Sequence, residues 1–436
     1  MGNDRYNVVI VGAGPAGSTA ALLLAQNNLS VALIERGKKP GSKNMFGGSI
    51  YRKPTAKIIP GFWKEAPLER TIITDELWLM DRTSAVKAGF TGLKFNEEPY
   101  NKFSAIRSKF DPWFANQAVK AGAKLMTETL AVDLVYEKIG LLKKKVDGVK
   151  LDNGEVIYAD VVLLAEGASA NLTQKAGLRG SIEASSLTLY VKEELALPAK
   201  KIESRFNLEP GEGSNIGMIG YPTASVVGKG GLWTNQDSIS IIVGGYLNQI
   251  NSKGVSPYQL LTRFKEHPLI KRLISDAKPI AYKSHIIPKG GYESIPTLYD
   301  DGILVAGDAA MMVSGRRGTD IAMLSGLYAA ETIAQARAAQ DYTAKVLKGY
   351  KKRIMDSFFM KSIKKSKNSK QYYKEHPDAD FLLTKAANDA AYRFFTVGIE
   401  ASETKMKKIK DEIFGMQPTK KTLTDLYYGI QDWGIF

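Results

Sequence analysis

The chain has 436 residues, 44% of them hydrophobic and 24% charged; this length suits two or three domains, and no apolar run reaches the roughly 18–20 residues that a membrane-crossing helix needs. It has no cysteine and only three histidines, His267, His285 and His376, without metal-ligand spacing, so disulfides, thiol chemistry and cysteine-held clusters are excluded from this chain and any redox centre in it must be a bound organic cofactor. A net charge of +15 favours an acidic partner surface or an anionic membrane; no nucleic-acid module accompanies it, and no nucleic-acid partner is expected.

The opening "MGNDRYNVVIVGAG" enters a strand directly, without the pattern of a cleavable signal, and Gly2 lacks the serine or threonine that myristoylation requires. Asn7 to Val11 form an apolar strand. Gly12, Gly14 and Gly17, with Pro15 and Ala16 between them, then give the G-x-G-x-x-G spacing before a helix of a dozen residues. In such a unit the first glycine makes the turn, the second admits a pyrophosphate to the helix N-terminus, and the third lets helix and strand pack closely. The next strand, "SVALIE", closes with Glu35, whose carboxylate can accept from ribose hydroxyls, and Arg36 beside it joins the cofactor-site candidates. The acidic strand end disfavours NADP and leaves NAD and FAD both open.

The loop "GSKNMFGGSIYRKP" follows, with Lys43, Asn44, Met45, Gly47 and Gly48 at its centre. "SAIRSKFDPWFANQAVKAGAKL" places Arg107 shortly before an expected helix start at Asp111-Pro112. A β-meander with an Asn153-Gly154 hairpin turn leads to Glu166-Gly167. From about residue 180 to 280 the pattern alternates, as in "SSLTLYVKEELAL" and "DSISIIVGGYL", and implies an antiparallel sheet. Beyond it lie Tyr282, His285 and the turn Gly290-Gly291. Ile303 to Ala306 form a strand ending in Gly307-Asp308, and a small-residue helix follows from Gly318, Thr319 and Asp320. No second G-x-G-x-x-G is present, so a dedicated NAD(P)H domain is not expected. After residue 345, Leu347, Tyr350, Ile354 and Phe358 make a helical stripe followed by lysines. That pattern serves either a basic helix lying on an anionic bilayer or an apolar face packed on the preceding domain. The aromatic "TKKTLTDLYYGIQDWGIF" suits docking to a partner subunit or lipid.

The paired segments at either end of the chain resemble the FAD-binding fold of glutathione-reductase type. The resemblance implies that Asp308 holds the ribitol, that the helix after Gly318 directs its N-terminus at the flavin, and that Arg107 contacts the diphosphate. It places Glu166-Gly167 in the second nucleotide motif, where relatives have Asp-Gly, adds Leu130 and Ala131 to the cofactor-binding set, and lays the 43–48 loop beside the flavin. "GSKNMFGGSIY", "GKGGLWTNQDSISI", "AYKSHIIPKGGYESIPTLYDDGILVAGDAA" and "RRGTDIAMLSG" further resemble the FixC family, relatives of electron-transfer-flavoprotein:quinone oxidoreductase, over nearly the whole chain to about residue 345. The turn from Gly307-Asp308 to Arg317-Gly318 is shorter than that family suggests.

The implied architecture is α/β: a discontinuous Rossmann-type FAD domain (1–75, 101–180 and 281–345), an inserted antiparallel-sheet substrate or quinone domain (76–100 and 181–280), and a helical C-terminal region (346–436). The implied activity is FAD-dependent transfer of electrons from an electron-transferring flavoprotein, with its alpha and beta subunits, to a membrane quinone, directly or through a separate ferredoxin-like iron–sulfur subunit; electron bifurcation is left open. Tyr282, His285, Gly290 and Gly291 are then candidates for the quinone pocket, and the protein is expected in the cytoplasm, peripheral to the inner face of the membrane. A geranylgeranyl-reductase-type enzyme and a scaffold with a vestigial flavin fold are the alternatives.

Overall fold

Asn7 to Val11 show no polar alternation because Arg5–Val11 is an inner strand of a parallel sheet, where both faces are covered. In the computed structural model, which describes residues 5–42, 48–139, 143–315 and 317–433, this strand pairs in parallel with Val31–Ile34 on one side and Val156–Leu164 on the other. The sheet runs Tyr299–Asp300, Ile303–Val305, Val156–Leu164, Arg5–Val11, Val31–Ile34, Lys124–Met126. The expected meander is present: Ala131–Ile139, Lys143–Leu151 and Val156–Leu164 pair antiparallel, with Gly154 at φ +90° in the second turn.

The helices Pro15–Gln26 and Thr319–Ala339 cross in backbone contact. A Cβ on Gly326 would lie 2.1 Å from the carbonyl oxygen of Ala16, so the small residues of the second helix are a packing requirement. The helix Ala344–Asp356 packs here too, burying Leu347, Tyr350 and Ile354, with the Tyr350 hydroxyl donating to the carbonyl of Val305 (2.9 Å).

These segments make up one of two units into which the chain divides, Met1–Leu68, Ala105–Ser186 and Ile287–Lys365; the other comprises Glu69–Ser104, Leu187–Ile286 and Ser366–Phe436. The region after residue 345 is thus shared between the two. The second unit holds a sheet of order Lys278–Pro288, Leu187–Ala196, Ser238–Tyr246, Gly228–Thr234, Glu212–Gly220, Thr71–Met80, Lys102–Ala105, with Ala85–Thr91 also paired to Thr71–Met80. Glu212–Gly220 and Thr71–Met80 run parallel, a departure from a purely antiparallel sheet.

One face of this sheet carries the apolar core. Val191, Leu195, Ile216, Met218, Leu232, Ile239 and Ile241 pack with Leu260, Leu261 and Phe264 of the helix Pro257–Glu266. Ser256 and Gln259 close that helix with a reciprocal capping box. The C-terminal helices cover part of the opposite face through Leu383 and Trp433 on Ile219.

Gly326→Ala is expected to destabilise the protein by about 1–3 kcal/mol, the range for overpacking, read as a fall in the melting temperature. Gly349→Ala, whose added Cβ would stand at an ordinary 3.9 Å from Thr332, is expected to hold or raise it, since alanine is the better helix former.

Candidate functional site

The first glycine turn is defined by backbone contacts. A Cβ on Gly12, at φ +104°, would fall 2.3 Å from the Ala165 carbonyl oxygen, and one on Gly17 would fall 1.9 Å from that of Gly12. Gly14 differs: its conformation is ordinary, and nothing lies within 4 Å of where its Cβ would stand. The helix Pro15–Gln26 has no side-chain cap, so its N-terminal amides and partial positive charge face that open space. Beside it, the Glu35 carboxylate accepts from the backbone N–H of Ala13 (3.2 Å) and of Gly37 (2.7 Å). Those bonds aim the side chain and leave lone pairs for further donors. Leu130 joins Thr129, whose N–H bonds the Glu35 carbonyl (3.0 Å), to Ala131, the first residue of the strand Ala131–Ile139; Arg36 is exposed.

The second half converges on the same turn. Gly307 lies against the first turn of the amino-terminal helix, its would-be Cβ 3.1 Å from that of Ala16, and its N–H is held by the Ser325 hydroxyl (2.9 Å). Asp308 follows. Burial pushes its carboxyl up to about 6, against the opposing pull of the Arg107 charge. Arg107 is itself buried and bonds Asp111 through both Nε and Nη2, while Nη1 donates to the Thr319 hydroxyl (3.2 Å). Burial lowers its pKa, but Asp111 and Asp308 outweigh that and raise it, so it stays cationic. Its helix spans Arg107–Lys120: it starts one turn before the expected Asp111-Pro112, and this places Asp111 one turn along, where it grips the guanidinium.

The helix Thr319–Ala339 also lacks a side-chain cap. Behind Gly318, Arg317 pairs with Asp320 through Oδ2, and Asp320 Oδ1 is buried without a partner. Burial raises the Asp320 pKa against the opposing effect of Arg317.

Other expected residues take different places. The Glu166 carboxylate turns onto the helix Asn171–Lys175, accepting from the N–H of Leu172 (2.9 Å) and from the N–H and hydroxyl of Thr173 (2.8 and 2.7 Å). It serves there as a cap, while Gly167 opens the adjoining turn with nothing near its Cβ position. Gly48 begins the strand Gly48–Tyr51, and Lys43, Asn44, Met45 and Gly47 lie outside the described residues. Tyr282 and His285 stand on one strand, Lys278–Pro288, three positions apart and therefore on opposite faces, so they do not form one wall. Gly290 is packed against Ser294, and Gly291 takes φ +74° in the first unit's turn.

Two groups escaped the sequence reading. Arg179 donates to the Ala309 carbonyl (3.1 Å) in the turn carrying Asp308, has a buried Nε without a partner, and has its pKa lowered by burial despite Glu166. In the second unit, Lys192 is 1% exposed, 3.1 Å from Glu194, and lies over the Trp233 ring at 5.2 Å. The Glu194 carboxylate also accepts from Asn235 (2.7 Å) and Ser240 (2.6 Å), whereas the buried Trp233 Nε1–H has no partner. The period-2 pattern showed where these side chains alternate, but not that a lysine would be buried on the face opposite the core.

Open room at Gly14, uncapped helix N-termini and the carboxylates of Glu35 and Asp308 fit a ligand with a central pyrophosphate and hydroxylated arms on both sides. FAD has that form. Among the described residues there is no cluster of acidic or histidine side chains suited to a metal ion. The fold and site define an FAD-dependent oxidoreductase. Residues 6–205 match the family model of pyridine nucleotide-disulphide oxidoreductases. The chain is 39% identical to Protein FixC of Azotobacter vinelandii, with 95% of this chain and 96% of that protein covered, and it belongs to the FixC family. Among solved structures, a geranylgeranyl bacteriochlorophyll reductase-like protein of Thermoplasma acidophilum shares its fold at a TM-score of 0.68 and 19% identity, covering 98% of this chain and 96% of that one. The flavin-dependent brominase Bmp2 does so at a TM-score of 0.60 and 18% identity, covering 98% and 93%.

Gly14→Ala is expected to leave the melting temperature of the FAD-free protein unchanged and to weaken FAD binding, whereas Gly17→Ala should unfold the site itself; thermal melts and flavin titration separate the two. Asp308 yields a pH dependence. Its raised pKa means that its contribution to stability without ligand is full below the unfolded carboxylate value of about 4 and is lost as pH rises through about 6. Hydroxyl donors favour the ionised form, so FAD affinity should fall by up to about tenfold per pH unit below that value. Asp308→Asn should flatten this profile.

Proposed function

We propose that this chain is the FAD subunit of a membrane electron-transfer system, accepting electrons from an electron-transferring flavoprotein, directly or through a separate ferredoxin-like iron–sulfur subunit, and passing them to a quinone. The observation that carries this reading is the 39% identity to a FixC protein over nearly the full length of both chains. The lack of any cysteine agrees with it, because a cluster relay would then have to be supplied by another chain. FAD supplies a centre that exchanges electrons singly or in pairs.

The chain's own residues bind, orient and tune. The Pro15–Gln26 N-terminus takes the pyrophosphate, Glu35 the adenosine ribose, and Asp308 the ribitol. The Thr319–Ala339 N-terminus, with roughly half a positive charge, favours negative charge that accumulates before it. Arg107, fixed by Asp111, keeps a permanent positive charge beside the carboxyl of Asp308. Within the second unit, the buried N–H of Trp233, with Lys192 over its ring, is suited to a carbonyl oxygen such as a quinone presents.

The reading predicts a flavin that NADH alone reduces slowly and that reduced electron-transferring flavoprotein, with the iron–sulfur partner, reduces rapidly. Stopped-flow absorbance of the flavin measures both. Rapid reduction of the isolated chain by NAD(P)H would count against it, and a gain of two hydrogens per double bond in a prenyl lipid would favour alkene reduction instead. Trp233→Phe is expected to raise the KM for a soluble quinone several-fold, the cost of one hydrogen bond of about 1 kcal/mol, with flavin content unchanged.

A further inference from the structure

Among the described residues no helix is long and apolar enough to cross a membrane. The segment whose sequence best suited a bilayer surface is turned inward: Leu347, Tyr350 and Ile354 are buried, and the helix breaks at Ser357, so that Phe359, Met360 and Ile363 are buried in the next helix and Phe358 is left outside.

A different surface has the reverse character. The helices Ala379–Phe395 and Ser402–Phe414 form a hairpin; the last turn of the first carries Tyr392 (78% exposed) and Phe395 (79%), and the connection carries Val397 (95%) and Ile399, which is fully exposed. Phe394 and, on the second helix, Met406 extend this apolar surface. So many large apolar groups at one end of a hairpin mark a contact site.

At the tip, the polar groups of Thr396 are bonded locally. The Thr396 N–H and hydroxyl both donate to the Tyr392 carbonyl (3.0 and 2.7 Å), and the Thr396 carbonyl accepts from Lys405 Nζ (2.8 Å). Of the nearby acids, Glu412 is paired with Arg393 (2.7 Å) and Glu400 with Lys408. Lys407 and Lys410 stand exposed on the second helix, alongside Glu403 and Asp411, on a chain of net charge +15. A protein partner would use directed polar contacts at the rim of such a patch. The interface of an anionic bilayer takes exposed apolar and aromatic side chains at headgroup depth, with positive charge facing the lipid.

We infer that the 392–399 segment, the end of one helix and the connection that follows, is a bilayer-docking tip, dipping its apolar side chains into the interface of an anionic membrane. This goes beyond the quinone reading and does not rest on it, since the tip would hold the chain to lipid whatever the electron acceptor.

The test is flotation of the purified, FAD-loaded full chain with vesicles of phosphatidylcholine alone or mixed with phosphatidylglycerol. The wild-type chain should float with the anionic vesicles. Val397→Asp combined with Ile399→Asp should lower the partition coefficient about tenfold or more, with flavin content and melting temperature unchanged. Lys407→Glu combined with Lys410→Glu should weaken binding to anionic vesicles alone. Val397→Trp should show a blue-shifted emission on adding anionic vesicles. A wild-type chain that floats with neither vesicle, or a double aspartate variant that floats equally well, overturns the proposal. It is also overturned if lipid binding is absent and the aspartates instead abolish retention of a purified electron-transferring flavoprotein or iron–sulfur subunit.

Discussion

The backbone-to-backbone crossing of the helices Pro15–Gln26 and Thr319–Ala339 is the constraint on which the cofactor site depends. Gly326 lets the second helix rest on the Ala16 carbonyl, and Gly17 lets the first rest on the turn at Gly12. A side chain at either point would wedge the helices apart by more than the tolerance of a packed interior. With them in place, an uncapped N-terminus and the Gly307-Asp308 turn, from opposite ends of the chain, are brought to one location. The site is therefore a consequence of packing density, and its polar groups are carried on elements that the packing has already positioned.

Charge in that site is arranged so that each buried group is partly, but not fully, balanced. Arg107 is locked by Asp111 and stays cationic, while Asp308 feels its charge yet retains a raised pKa because burial costs more than that attraction returns. A carboxyl in this state has unused hydrogen-bonding capacity that hydroxyl donors would complete. Arg179, anchored on Ala309 with its Nε unpaired, extends the same pattern to the far side of the turn. Glu166 is the contrast: its carboxylate is committed to a helix cap and so organises the chain behind the site.

The second unit separates its two sheet faces by chemistry. Odd and even positions of Leu187–Ala196 send Val191 and Leu195 into the apolar core and Lys192 and Glu194 to the other side. Burying an ion pair is costly unless its remaining donors and acceptors are met, and Ser240 and Asn235 meet those of Glu194. The C-terminal helices obey the same economy in reverse: an amphipathic stripe that could have faced lipid packs inward beneath Val305, and a turn with little periodicity remains apolar and exposed.

The nucleotide-binding half was legible because its requirements are local. A turn that tolerates no Cβ, an apolar strand, a helix start and an acidic strand end appear within Val8 to Glu35 as adjacent letters, and the resemblance at Gly307-Asp308 supplied the second half. The Asn153-Gly154 turn was legible for the same reason. What the sequence by itself determined was the nucleotide-binding unit and its turns, and its resemblances gave the FAD chemistry and the family. The tertiary structure alone decided that Glu166 caps a helix, that Tyr282 and His285 face opposite ways, that Lys192 is buried over Trp233, and which apolar surface of the C-terminal helices stays uncovered. Backbone conformation and periodicity are properties of neighbouring residues, whereas burial and pairing depend on what distant segments bring into contact, and that is not written in the spacing of any one of them.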